Sequence, residues 1–164
     1  MRTTLAVLGR KARSWRRRPL AEKLWFVPAY ALLGLSRVAL LTIPFRWIAP
    51  RLGHSLQTAA VVPLAGATET ARAQAIGHAI ETAARHTPWE SACLAQAITA
   101  RVLLGISRLP YAVYLGVDKR GDAGIAAHAW VSTGRAAVTG GHGFNEFTVV
   151  GTYSSLDPRS APER

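Results

Sequence analysis

Residues 88–104 read PWESACLAQAITARVLL and residues 111–132 read YAVYLGVDKRGDAGIAAHAWVS, and the change of texture between them decides the fold class. In the first stretch Leu94, Ile98 and Val102 recur every fourth residue and Gly105 follows as a stop, so the pattern predicts a helix over 92–104. In the second, β-branched and aromatic residues alternate with small ones, which predicts strands at 111–117 and 125–132 joined by a turn at 119–122. Thr133-Gly134 reads as a two-residue hairpin turn into a third strand at 135–139, and 147–153 reads as a fourth. Upstream, residues 68–86 place Ala71, Ala75, Ile76, Ala79, Ile80 and Ala83 at helical spacings, with Thr68 as a cap and Pro88 just past the end. Helices followed by an antiparallel meander give an α+β fold.

The totals set the frame for this core. A chain of 164 residues, 49% apolar and 18% charged, has the size and composition of one folded domain. Its net charge of +11 is uneven: residues 1–51 carry eleven Lys/Arg against one acid, and the remainder nine against eight. The predicted core is therefore nearly neutral, which argues against nucleic-acid binding. Residues 1–23 form a basic arm, and residues 24–45 (LWFVPAYALLGLSRVALLTIPF) are apolar apart from Arg37. A central Arg disfavours a membrane-spanning helix, so residues 1–45 are expected to pack against the fold or a partner, or to make peripheral contact with an anionic membrane. Gly53, Pro63 and Gly66 mark a linker region. The expected division is a basic and apolar helical extension at 1–52, the α+β domain at 53–158 and a tail at 159–164. The expected location is the cytoplasm, with membrane association as a variant of it.

Cys93 is the sole cysteine, so neither an internal disulfide nor a zinc site is expected, and no cofactor is called for. It falls in the first turn of its helix, where unpaired N–H groups and the macrodipole favour an anion. A buried Cys packing beside Leu94 is the plain alternative. His128 sits among small residues on a following strand, and a Cys–His pair is what acyl transfer needs: the imidazole takes the thiol proton and later gives it to the leaving amine. For a group to orient the ring, a hairpin pairing Ser132 with Arg135 would set His128 opposite Thr139. Thr139 is the expected orienting residue, with Glu146 or Asn145 reaching in from the loop as alternatives. His54, His78, His86 and His142 read as surface residues.

These residues resemble a known family. Pro88-Trp89-Glu90-Ser91-Ala92-Cys93-Leu94, the helix through Arg101-Val102-Leu103-Leu104, the strand Leu109 to Val117 and Ala127-His128-Ala129-Trp130-Val131 are similar, in this order, to the C-terminal part of the lasso peptide biosynthesis B proteins. The resemblance covers residues 88–141. It implies a transglutaminase-like, papain-like cysteine protease core that removes the leader from a ribosomally made lasso peptide precursor. It also implies Cys93 as nucleophile, His128 as general base, and two partners: a small winged-helix protein that presents the leader and a separate lasso cyclase. The family's third catalytic member is an acidic residue about twelve positions after the histidine, and here that place is Gly140. A transglutaminase-like acyltransferase and a catalytically weak partner-binding or membrane-docking subunit are the alternative readings.

Overall fold

The computed structural model describes residues 20–119, 124–141 and 146–156. The basic arm before residue 20, the turn at 120–123, His142, Asn145 and the tail from 157 lie outside them. In chain order come helix α1 (Leu20–Thr42), the short α2 (Phe45–Ile48) continued by a 3-10 turn (Ala49–Arg51), strand β1 (His54–Ser55), α3 (Ala67–Ala84), α4 (Cys93–Ile106), β2 (Ala112–Lys119), β3 (Ile125–Thr133), β4 (Ala136–Thr139) and β5 (Thr148–Ser154). The fold is α+β, as expected.

The sheet runs β1-β5-β2-β3-β4 with every neighbouring pair antiparallel. β2, β3 and β4 form the expected meander, but β5 crosses back to the far side of β2 instead of extending the sheet beyond β4. Ala112, Val113 and Tyr114 of β2 are fully buried, and a strand buried on both faces belongs in the middle of a sheet. The crossing also leaves two short strands, β1 and β4, as the edges, which limits exposed backbone.

α3 and α4 pack on one face of the sheet, and α1 packs on both of them. Leu33, Ile76, Ile80, Leu103, Leu104, Val113 and Val131 fill the core on this side. On the other face Tyr114 and Trp130 stack at 5.5 Å with Phe147 and Val149 beside them. α4 is enclosed between α1 and the sheet, so its buried positions are Ala95, Ala97, Thr99, Ala100, Leu103 and Leu104. Leu94, Ile98 and Val102, the stripe read from the sequence, are half-buried on its flanks. Small residues let the neighbouring elements approach closely, and that need overrides the simple pattern. α3 begins at Ala67, not at Thr68: the Gly66 N–H donates to the Glu69 carboxylate at 2.8 Å, an acid in the first turn serving the helix start.

The apolar segment expected as an extension is part of this core. Ala29 and Leu33 of α1 are fully buried, and Ser36 donates to the Thr99 hydroxyl at 3.3 Å while Thr99 donates to the Ala95 carbonyl at 2.9 Å. Residues Lys23–Thr42 are long and apolar enough to cross a membrane by length and composition, yet one side of the helix is spent on α3 and α4.

Candidate active site

The turn that delivers Cys93 is held from several directions. Trp89 meets Tyr30 of α1 edge-on, with ring centroids 5.4 Å apart, and lies against Gly34, where an added Cβ would come within 3.1 Å of the indole. Arg37 donates to the Glu90 carboxylate at 3.3 Å. The Thr87 hydroxyl meets the Trp89 carbonyl at 3.0 Å and the Ser91 hydroxyl at 2.8 Å, and Gln96 donates to the Ser91 carbonyl at 2.8 Å. α1 thus serves as a brace for the segment Pro88–Ala92. α4 then begins at Cys93 itself, and Ala92 at the N-cap offers no side-chain acceptor. The first-turn amides therefore remain open to an anion, whether a thiolate or the oxyanion of an attacked carbonyl.

His128 lies mid-strand on β3, opposite Gly116 of β2. Its Nε2 sits 2.7 Å from the carbonyl oxygen of Gly140. A carbonyl only accepts, so Nε2 carries the proton and the neutral ring keeps its lone pair on Nδ1. The ring lies against Phe147 (centroids 4.9 Å apart) and Trp130 (5.9 Å). This main-chain carbonyl takes the bond that an orienting carboxylate would take. A side chain has no room there: Gly140 has φ +76°, and an added Cβ would fall 2.4 Å from the Ala129 carbonyl oxygen.

Thr139 is not the orienting group. The β3–β4 pairing sets Thr133 opposite Ala136 and Ser132 opposite Ala137, and an irregularity then places Thr139 opposite Val131. The expected pairing of Ser132 with Arg135 is displaced, so Thr139 stands three residues along the strand from the ring, with its hydroxyl buried and without a hydrogen-bond partner. The turn falls at Gly134-Arg135 and not at Thr133-Gly134, which moves the register by two positions, and the irregularity adds a third. Glu146 is exposed, next to Phe147. His54, His78 and His86 are exposed as expected, with His86 held by the Thr82 carbonyl at 2.7 Å.

Cys93 and His128 line one cleft of about 270 Å³, walled by Phe45, Leu94, Leu115, Val117, Ala127 and Val150. The sulfur is half-buried and packs beside the helix-side core, whereas the imidazole stacks on the aromatic cluster of the opposite face. Among the described residues no hydrogen bond joins them. The cleft wall is almost wholly apolar, so an extended segment entering it would seat a hydrophobic side chain. Phe45 follows α1 directly, and its place in this wall was not legible from sequence because nothing local ties it to Cys93. A larger hollow of about 620 Å³ lies at the far end of α4, with Arg101, Arg108 and Tyr111 in its wall, and touches neither residue.

A sequence model of the transglutaminase-like superfamily matches residues 39–152, more than half of the chain and all of the sheet but the last two residues of β5. The chain belongs to the transglutaminase-like superfamily. No curated protein and no solved structure matches it. Members of this superfamily are usually cysteine peptidases or acyltransferases, and the matched span includes the helix start at Cys93, the β3 histidine and the Gly140 carbonyl.

Proposed function

We propose that this protein is a cysteine peptidase that removes the leader from a ribosomally synthesised lasso peptide precursor, working with a separate leader-recognition protein and delivering the product to a cyclase. The observation that carries the peptidase reading is that Cys93, at an uncapped helix start, shares one cleft with a histidine whose Nε2 is tied to a fixed acceptor. The lasso assignment rests on the motif resemblance around Cys93 and His128.

In the reaction, Nδ1 of His128 takes the proton of the Cys93 thiol and the sulfur attacks the scissile carbonyl. The first-turn amides of α4 face the developing oxyanion. The C–N bond then breaks, with the proton passing from the imidazole to the leaving amine. Water, deprotonated by the same ring, releases the acid from the sulfur. This sequence requires Nδ1 to come within hydrogen-bond reach of the sulfur in the substrate complex; catalytic hydrogen bonds are often long before substrate tightens them.

Incubation with a precursor and its recognition protein, read by mass spectrometry, tests the reading. Leader release with an acyl adduct on Cys93, both absent in Cys93→Ala, is expected. An amine adduct in place of hydrolysis would reassign the protein as an acyltransferase. The missing hydrogen bond between sulfur and ring favours one second reading, a catalytically weak partner-binding subunit, and an unchanged precursor with no trappable acyl-cysteine would establish it.

A further inference from the structure

Among the described residues nothing covers the outward side of α1. Leu24, Leu35 and Leu41 are 74%, 65% and 68% exposed, and Val27 and Val38 are similarly open. Their spacing of three and four, with exposed Ala31 between, makes one continuous face directly opposite the buried Ala29, Leu33 and Ser36. The face is about 27 Å long at the helical rise, and beyond the helix Ile43, Phe45 and Trp47 are also exposed, the last 59%. From residue 24 to 42 the only charged side chain is Arg37, which is paired on the flank with Glu90. A helix apolar on all sides is normally enclosed, and an uncovered patch of this kind marks a contact surface.

Charge identifies the partner. Residues 10–23, immediately before the face, hold seven Lys/Arg and one acid, whereas the chain after Arg51 is close to neutral. We propose that the outward face of α1 and the basic segment preceding it dock the protein onto an anionic membrane surface, with α1 lying in the plane of the interface. Acyl chains complement the uninterrupted apolar stripe, lipid phosphates complement the basic segment, and the exposed Trp47 is of the residue type that anchors at interfaces. A spanning orientation is incompatible with the fold, because it would break the Ser36–Thr99 and Arg37–Glu90 links and uncover Leu33. The proposal does not depend on the chemistry of Cys93.

Cosedimentation of the full chain with phosphatidylglycerol–phosphatidylcholine vesicles, against phosphatidylcholine alone, tests it. The expected result is binding to the anionic vesicles that weakens with salt and falls roughly tenfold or more in the Leu35→Glu/Val38→Glu double variant, while its far-UV spectrum and melting are retained. Should that variant not fold, quenching of the unmodified protein's tryptophans by brominated lipid in anionic vesicles decides: quenching supports docking and its absence overturns it. No binding to anionic vesicles, or equal binding by the double variant, overturns it too. So does lipid-free self-association that the two substitutions abolish, which would make a second copy the occupant. Cys93→Ala should bind as the unmodified chain does, so a failed peptidase assay and failed docking are separate results.

Discussion

His128 gives its Nε2 proton to a main-chain carbonyl, and that partner limits what the ring can do. A carbonyl dipole orients the imidazole and fixes its tautomer as a carboxylate would, but it stabilises the imidazolium less. His128→Gln should lower leader cleavage by ~10²–10⁴-fold, the range for loss of a general base, while Cys93 remains open to alkylation; peptide mass mapping after iodoacetamide checks both. Placing an acid at residue 140 should not help. Gly140→Asp meets a left-handed backbone and the Ala129 carbonyl, so it should cost about 1–3 kcal/mol of stability and reduce turnover; higher turnover at an unchanged melting temperature would contradict this. That Cys93 opens a helix and His128 lies mid-strand was readable from sequence, because helix starts and small-residue strands leave patterns. The Gly140 carbonyl was not, since every residue has one, and the Thr139 reading failed because the hairpin turn lies one residue later than expected and an irregularity follows it.

α1 is a helix with two apolar sides, and only one of them is used by the fold. Leu33 is fully buried and Leu35 is 65% exposed, although both sit in the same run of aliphatic residues. Leu33→Ala should cost about 2–5 kcal/mol through lost burial and a residual cavity, whereas Leu35→Ala should change stability by ~0.5 kcal/mol or less. Chemical denaturation of the two variants measures the contrast, and equal losses would show the wrong side to be inward. The sequence marked 24–45 as apolar but not which side faces the core, because no 3.6-residue periodicity survives when both sides are apolar. α4 illustrates the same point from within: enclosed on two sides, it buries alanines together with Leu103 and Leu104 and leaves Leu94, Ile98 and Val102 on the flanks. α3, with one polar side, was legible almost to its ends.

Over the whole molecule the class was legible and the connection was not. The alternation in β2, β3 and β5 announces strands, but nothing in residues 148–154 says that β5 lies beside β2; burial of β2 on both faces decides it. That second face has its own titration. Burial pushes the Tyr114 phenol above its usual 10.0, against a smaller opposing effect of the Ser132 hydroxyl, and the phenol donates to the Val61 carbonyl. A folded-state value raised above the unfolded one stabilises fully below the unfolded value and is lost as pH rises through the folded one. Melting temperature should therefore fall more steeply above about pH 10 in the unmodified protein than in Tyr114→Phe, so that the two curves converge in alkali; parallel curves would remove Tyr114 as the cause. The position of β5 also bears on synthesis. It fills the gap between β1 and β2 from within, so a nascent chain stalled after β4 leaves one whole flank of β2 bare, and such a flank templates foreign strands. Premature termination at that point should yield insoluble aggregates and not a milder enzyme.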